Sequence, residues 1–119
     1  MKCLIADDDP RTRRMLKAVL ESPGVEFIEA QDGAEAVALH RAHQPEMVIM
    51  DIEMKPMDGI AATRAIHEHD AQCRILIVSQ HDSLSFRQAA AGAGAFGYVL
   101  KDDFDAIHSI LANQMRPPT

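Results

Sequence analysis

The stretch Met47-Val48-Ile49-Met50-Asp51 decides the predicted fold, because four consecutive apolar residues end abruptly on a carboxylate. Such a run predicts a strand that is buried on both faces, as in a parallel sheet lying between two layers of helices. Ligands of open α/β sheets bind where the carboxyl ends of the strands run out. The side chain of Asp51 is therefore expected to lie in a functional crevice.

Short apolar runs recur along the chain and alternate with segments of helical periodicity. The other predicted strands are residues 3–6, 25–30, 75–78 and 97–100. Glu26 and Glu29 interrupt the run 25–30, which favours a position at the edge of the sheet. Helices are predicted from Pro10 behind an Asp9 N-cap, after Asp32-Gly33, from Ile60 to about His69, from about Ser83 to Ala91, and after Asp102-Asp103.

The spacing of apolar residues predicts which face of each helix is buried. The inward residues predicted for four of the helices are Met15, Leu16, Val19 and Leu20; Ala34, Val37, Ala38 and Ala42; Ile60, Ala61, Ala65 and Ile66; and Phe104, Ile107 and Leu111. Five strand–helix units predict an α/β fold, a doubly wound five-stranded parallel sheet of the flavodoxin-like (βα)5 type with strand order 2-1-3-4-5. One domain is expected over residues 1–115, with residues 116–119 as a tail that could begin a linker.

The composition is that of an ordinary globular domain, with 119 residues of which 47% are apolar and 25% charged. The formal net charge of -6 disfavours nucleic-acid binding by this domain itself. No apolar run approaches the ~20 residues that span a bilayer, and no signal-peptide pattern opens the chain, so a cytoplasmic protein without membrane contact is expected. Cys3 and Cys73 lie in or beside apolar runs, which favours small buried hydrophobes over disulfide or metal ligands.

Four of the five predicted strands end on a functional side chain, although these residues are far apart in the sequence. Asp7 and Asp8 follow the first strand, Asp51 the third, Ser79 the fourth and Lys101 the fifth. Because parallel strands point their carboxyl ends to one edge of the sheet, these side chains are expected to meet in one pocket. These residues indicate a functional pocket only when taken together, because each one alone is typical of a helix cap, a loop hydroxyl or a solvated charge.

Three carboxylates in one pocket repel one another unless a positive charge joins them. Mg²⁺ fits this need, because it takes one or two carboxylates together with waters and a phosphoryl oxygen. Lys101 adds a mobile point charge, Ser79 adds a hydroxyl donor, and Asp51 is a candidate nucleophile that could form an aspartyl phosphate. The histidines fall mostly at polar helix positions, and His67 and His69 do not share a helix face, so no metal site is expected at that pair.

The order and spacing of these residues resemble the receiver domain of two-component response regulators over nearly the whole chain. Residues 4–10 resemble the family's acidic pair after the first strand, and residues 48–54 with Met57-Asp58-Gly59 resemble its phosphoacceptor loop. Ser79 stands at the switch Ser/Thr position, and residues 93–101 match the strand that carries the switch aromatic and the lysine.

The resemblance implies a signalling module that is not an enzyme beyond catalysing its own phosphorylation and dephosphorylation. It implies that Asp51 accepts a phosphoryl group from the phosphohistidine of a sensor histidine kinase or phosphotransfer protein. Mg²⁺ would be bound by Asp8, Asp51 and the backbone carbonyl of Glu53, with Asp7 completing the acidic cluster. Lys101 would pair with the phosphoryl group.

The resemblance further implies a switch, in which Ser79 moves inward to bond the phosphoryl group and Tyr98 changes rotamer. The face formed by the fourth helix, the fifth strand and the fifth helix would be remodelled as a result. A homodimer through that face is an expectation that comes from the family alone.

Two departures from the family pattern lie in the loops of the site. The family usually has proline four residues after the phosphoacceptor, whereas this chain has Lys55 there and Pro56 next. Many receivers have proline after the lysine, often in a cis bond, whereas Asp102 follows Lys101 here. The Lys-Asp pair resembles receivers that are joined to helix-turn-helix DNA-binding output domains.

A third departure follows the switch serine, where Gln80 stands in place of the small residue that the family often has. We hypothesise that Gln80, together with Glu53 and His81, screens the phosphoryl group and lengthens its lifetime.

Three alternative functions share parts of this pattern. A degenerate receiver that acts only as a protein-interaction module would not need the complete set of acids, Ser79 and Lys101, and metal binding discriminates the two. A haloacid-type aspartyl-phosphate hydrolase resembles Asp-x-Asp at the nucleophile, and Asp51-Ile52-Glu53 lacks the second aspartate. A flavodoxin needs a hydroxyl- and glycine-rich loop after the first strand, where residues 7–9 are acidic and would repel the FMN phosphate.

Overall fold

Strands and helices alternate five times in the computed structural model, which describes residues 1–114. The strands are β1 (Lys2–Ala6), β2 (Glu26–Ala30), β3 (Met47–Met50), β4 (Arg74–Ser79) and β5 (Gly97–Leu100). The helices are α1 (Pro10–Leu20), α2 (Gly33–His43), α3 (Gly59–His69), α4 (Leu84–Ala93) and α5 (Phe104–Gln114). The predicted domain end at residue 115 and the predicted tail 116–119 lie outside the described residues.

The sheet is parallel throughout, with the strand order β2-β1-β3-β4-β5. This confirms the predicted fold class and strand order, and it places the partly polar β2 at an edge as expected. Ala6 pairs with Met50, and Met50 pairs with Ile77 in the next strand. The carboxyl ends of the three central strands are therefore in register, which brings the residues that follow them to one edge.

Both faces of the sheet are buried, because successive side chains of each strand alternate between two cores. Leu4, Val48 and Ile75 pack on the face covered by α2, α3 and α4. Cys3 and Ile49 pack on the opposite face, against α1 and α5. Each large apolar side chain buried in this way contributes about 1.5–3 kcal/mol, so the sheet is a rigid platform for the loops at its edge.

The predicted inward face of α2 is wrong at three of its four positions. Gly33, Ala36 and His40 are buried, whereas Ala34, Ala38 and Ala42 are exposed and only Val37 of the predicted face packs on the core. Alanine recurs around this helix and hides the apolar periodicity. His40 is an exception to the expectation that the histidines lie mostly at polar helix positions, since its ring is buried with Nε2 3.1 Å from Asp70 Oδ2.

The predicted inward positions of two further residues are wrong. Ala61 of α3 is exposed, because the helix begins at Gly59 behind the Asp58 cap and buries residues 59, 62, 63 and 66. Thr63 is tolerated in this face because its hydroxyl donates to the carbonyl of Gly59 at 2.7 Å. Phe104, the first residue of α5, is 51% exposed and does not share the buried face of Ile107 and Leu111.

Aspartate or serine side chains cap the helices that follow the strands. Asp9, Asp32, Asp58 and Ser83 each accept a hydrogen bond from a backbone N–H of the first helical turn. These caps fix the point at which each helix leaves the sheet edge. Within residues 1–114, no helix has both the length and the apolar character required to cross a membrane.

Candidate functional site

Backbone hydrogen bonds continue the sheet one residue beyond the strands and thereby place the site residues. The N–H of Asp7 donates to Ala30 O at 3.1 Å, and the N–H of Asp51 donates to Ala6 O at 2.9 Å. The N–H of Lys101 donates to the carbonyl of Ser79 at 2.8 Å. The sheet itself therefore orients Asp7, Asp51 and Lys101 at its carboxyl edge.

The structure brings the three predicted carboxylates together. Asp7, Asp8 and Asp51 each offer an oxygen atom, and the three atoms lie within 4.8 Å of one another. Asp7 and Asp51 are buried, with 1% and 5% of their surface exposed, while Asp8 is exposed at the mouth of the cluster. Lys101 Nζ lies 2.9 Å from Asp7 Oδ2 and 3.3 Å from Asp51 Oδ1.

The single ammonium group of Lys101 does not balance the negative charge of the three carboxylates in this cluster. Burial and the neighbouring Asp7 raise the pKa of Asp51 from 3.8 to about 6, against the opposing effect of Lys101. Burial also raises the pKa of Asp7, despite hydrogen bonds from the N–H of Asp9 and from Lys101. The pKa of Lys101 is raised, since its bonds to Asp7 and Asp51 outweigh the effect of burial. A cluster of oxygen ligands whose ionised form is penalised fits a hard divalent cation, so the site could hold a metal ion.

Ser79 is buried at the end of β4, next to the strand that carries Asp51. Its Oγ accepts a hydrogen bond from the N–H of His81 at 3.1 Å. A serine hydroxyl has one proton to donate besides its acceptor lone pairs, so this contact leaves the proton available for an oxygen in the site.

Tyr98 is tied to the same short segment. Its hydroxyl donates to the carbonyl of His81 at 2.6 Å, so Ser79 and Tyr98 contact opposite ends of one residue's backbone. The guanidinium of Arg87 lies 4.6 Å from the centre of the Tyr98 ring, and Arg87 Nε donates to Asp82 Oδ1 at 3.1 Å. Cation–π contact of this kind holds the aromatic ring in place.

Two arginines that the sequence analysis did not single out support the site. Arg87 stacks on Tyr98, and Arg13 donates from Nη1 to the backbone carbonyl of Asp7 at 2.6 Å. Both contacts cross between elements, and nothing in the local sequence around either arginine distinguishes it from a solvated surface charge.

The three residues of the lifetime hypothesis lie at two places. His81 Nε2 and Glu53 Oε1 form a direct contact at the rim of the acidic cluster. Gln80 does not take part in this contact. It is exposed and lines a cavity of about 350 Å³ together with Lys101 and Asp102. A second cavity, of about 410 Å³, is lined by Asp8, Glu53, Met54 and Lys55.

The loop after Asp51 is anchored at several points. The N–H of Gly59 donates to Ile52 O at 2.9 Å, and the N–H of Gly33 donates to Met57 O at 3.0 Å. Ile52 and Met54 are buried in the core. The Lys55–Pro56 peptide bond is cis, at the place where the proline is shifted by one residue relative to the family pattern.

Comparison with known proteins gives a consistent result. The family model described as the response regulator receiver domain matches residues 3–112. The chain is 41% identical over 101 residues to the chemotaxis protein CheY of Bacillus subtilis, covering 84% of each protein. The signal receiver domain of NarL from Mycobacterium tuberculosis matches with a TM-score of 0.86 and 31% identity, covering 97% of both chains. A chain of the CheX-CheY-BeF3-Mg²⁺ complex from Borrelia burgdorferi matches with a TM-score of 0.87 and 27% identity, covering 98% of this chain and 90% of that one.

The relatives differ in how much of their own length is matched. The chain spans 48% of the full-length transcriptional regulatory protein NarL, with 34% identity over 104 residues.

Proposed function

We propose that this chain, which belongs to the response regulator receiver domain family, is a phosphorylation-controlled signalling module with Asp51 as its phosphoacceptor. A sensor histidine kinase or phosphotransfer protein is the proposed donor. One observation carries the proposal: Asp51 is buried beside Asp7, Asp8 and Lys101 at the carboxyl edge of the sheet. The complete cluster supports this function over that of a degenerate interaction module.

The residues of the cluster divide the chemistry among them. Asp7, Asp8, Asp51 and the backbone carbonyl of Glu53 would hold Mg²⁺, which when bound neutralises charge on the transferred phosphoryl group. An ionised oxygen of Asp51 attacks the phosphorus as the phosphorus–nitrogen bond to the donor histidine breaks, and the imidazole leaves with the bond's electron pair. With a pKa of about 6, Asp51 is mostly ionised at neutral pH and available as the nucleophile.

Lys101 and Ser79 would then bind the new aspartyl phosphate. Lys101 already contacts Asp51 at 3.3 Å, so a small movement of its flexible side chain transfers that contact to a phosphoryl oxygen. Ser79 would donate its hydroxyl proton to a second phosphoryl oxygen. The proposed chemistry is confined to the protein's own phosphorylation and dephosphorylation, without turnover of another substrate.

Movement of Ser79 would be transmitted through His81. The Ser79 hydroxyl holds the N–H of His81, and the Tyr98 hydroxyl holds its carbonyl, so displacing one contact disturbs the other. A change in the Tyr98 rotamer would alter the α4-β5-α5 face. The two helices of this face begin at Leu84 and Phe104, which are 71% and 51% exposed. This face is the proposed surface for a regulated partner, including a second copy of the chain.

The proposed biological setting is cytoplasmic two-component signalling. The match to half of NarL and the Lys101-Asp102 pair favour a role in transcription regulation through an attached output domain. The domain itself is not proposed to bind nucleic acid, because its net charge of -6 repels the phosphate backbone.

The phosphoacceptor assignment predicts a site-specific response to a phosphoryl analogue. Beryllofluoride added with Mg²⁺ is expected to shift the NMR signals of Ser79, Tyr98 and Lys101, and Asp51→Asn is expected to abolish these shifts. Asp58→Asn is the matched control, since this residue caps α3 and asparagine caps a helix equally well. A wild-type protein without any response to metal or analogue would favour the interaction module instead.

The lifetime hypothesis predicts that Gln80→Ala, Glu53→Ala and His81→Ala each speed decay of the aspartyl phosphate. A two- to tenfold effect corresponds to a barrier lowered by up to about 1.4 kcal/mol. Because Glu53 and His81 contact each other, their double variant should lose less than the product of the single effects. Decay that is unchanged by Gln80→Ala would remove that residue from the hypothesis, and decay unchanged in all three variants would refute it.

A further inference from the structure

A second cluster of ligand-type side chains lies at the opposite end of the sheet. His40 belongs to the last turn of α2, Asp70 is the C-cap of α3, and Cys73 precedes β4. Each offers one nitrogen, oxygen or sulfur atom, and these atoms all lie within 4.8 Å of one another. β4 begins next to Cys73 and ends at Ser79, so the length of the strand separates this cluster from the phosphoacceptor.

The backbone holds the three residues in place independently of their side chains. The N–H of Asp70 donates to Ile66 O at 2.8 Å, and the N–H of Cys73 donates to Asp70 O at 3.2 Å. The helix that carries His40 ends with the N–H of Gln44 donating to His40 O at 2.8 Å. A set of ligands held in this way loses little conformational freedom when it binds an ion.

We propose that His40, Asp70 and Cys73 form a binding site for a transition-metal ion of the zinc type, separate from the phosphoacceptor cluster. An imidazole nitrogen, a carboxylate oxygen and a thiolate are the three ligand types that Zn²⁺ accepts. Mg²⁺ does not compete for such a site, because it selects oxygen ligands and does not favour sulfur. Three protein ligands leave the fourth tetrahedral position for water or for another ligand.

The distances and burial suit an ion of that size. Bonds of about 2.0–2.3 Å in a tetrahedron place ligand atoms roughly 3.3–3.8 Å apart, so the cluster needs side-chain shifts of about 1 Å. His40 and Cys73 are 1% and 6% exposed, which excludes most competing water. A surface cavity of about 270 Å³, lined by Asp70 and Cys73 among others, gives an ion access from solvent.

Binding would replace the hydrogen bonds that now occupy the ligand atoms. His40 Nε2 lies 3.1 Å from Asp70 Oδ2, and the thiol of Cys73 donates to Pro45 O at 3.4 Å. The sulfur coordinates as a thiolate, and its proton leaves to solvent. Burial raises the pKa of the Cys73 thiol to about 12, with Asp70 and Glu46 acting in the same direction and Arg74 opposing them, so the ion must displace a firmly held proton. The negative charges of Asp70 and Glu46 attract a cation, while Arg74 repels it. The bound ion would join α2, α3 and the start of β4.

Cobalt(II) is a suitable probe, because its bond to a thiolate gives a near-ultraviolet charge-transfer band that oxygen ligands do not produce. The whole chain, stripped with a chelator and then kept in excess Mg²⁺, is expected to bind one Co²⁺ with this band. Zn²⁺ should displace the cobalt and remove the band. Asp51→Asn should leave both results unchanged, which separates this site from the phosphoacceptor and from the proposed signalling function.

Matched cysteine variants locate the site. Cys73→Ala is expected to abolish the band, and His40→Gln is expected to weaken Zn²⁺ binding at least tenfold. Cys3→Ala is the control, since Cys3 is also a buried free thiol but packs in the core on the other face of the sheet. A wild-type protein that gives no thiolate band, or a band lost in Cys3→Ala but kept in Cys73→Ala, would overturn the proposal. The wild-type measurement decides the matter even where a variant fails to fold.

Discussion

Replacing Gly59 with alanine is expected to destabilise the protein by about 3 kcal/mol and to disrupt the phosphoacceptor loop. A Cβ at this position would overlap the carbonyl oxygen of Asp51 and would lie 2.7 Å from its carbonyl carbon and 2.9 Å from Met50 Cγ. The nearest obstacle is backbone that the sheet holds in place, so it cannot move aside as a flexible side chain would. The α3 start and Asp51 must therefore separate.

Gly92→Ala is the matched control for this substitution. Gly92 lies in α4, and a Cβ there would meet nothing within 4 Å. Alanine at such an exposed helical position is expected to stabilise the protein by about 0.5–1 kcal/mol. Urea unfolding measures both free energies, and the beryllofluoride response measures the state of the loop. Equal stability of the two variants would show that the close approach of α3 to Asp51 is not required.

Replacing Asp51 with asparagine is expected to stabilise the metal-free protein by up to about 3 kcal/mol at neutral pH, although it removes the proposed phosphoacceptor. The rise in the pKa of Asp51 from 3.8 to about 6 corresponds to an energetic cost of this size for the ionised form. The attraction of Lys101 is already included in that pKa. The energetic cost is therefore the net penalty for ionising Asp51 after the stabilising effect of Lys101 has been counted. The ionised carboxylate of Asp51 therefore lowers the stability of the metal-free fold, because it is buried among other carboxylates.

The sign of the effect gives it a distinct pH dependence. Well below pH 4 Asp51 is protonated in both the folded and unfolded chain, so the two proteins should be equally stable there with respect to this residue. Between pH 4 and 6 the folded state binds the proton more tightly, and the wild-type free energy of unfolding falls as the pH rises. The advantage of Asp51→Asn should therefore grow over that window and stay constant above it.

Thermal or urea unfolding at pH 4, 6 and 8 tests this expectation. Asp32→Asn is the control, because Asp32 caps α2 through the N–H of Glu35 and asparagine replaces that cap at little cost. Mg²⁺ should narrow the difference at pH 8, since it stabilises only a protein that binds it. An advantage that is equally large at pH 4 would show that the charge of Asp51 is not its source.

The strands and their polar ends were predictable from sequence because each signal is local. A run such as Ile75-Leu76-Ile77-Val78 is stable only as a strand buried on both faces in the centre of the sheet. Parallel pairing of such strands then brings their carboxyl ends to the same edge. The meeting of Asp7, Asp51 and Lys101 follows from this rule, while the glutamates of β2 predict its position at an edge. The helix faces were predicted less well, since the alanines of α2 carry almost no hydrophobic contrast.

The layered sheet and its carboxylate edge can be predicted from the sequence alone, because apolar runs and their boundaries are formed by consecutive residues. The contacts away from the strand ends emerge only in the folded chain: Arg87 on Tyr98, His81 between Ser79 and Tyr98, and Cys73 beside His40 and Asp70. Such contacts depend on where separate helices and loops pack, and on ångström-scale distances between them. No local pattern specifies those distances, so the second cluster became visible only when α2, α3 and β4 were brought together.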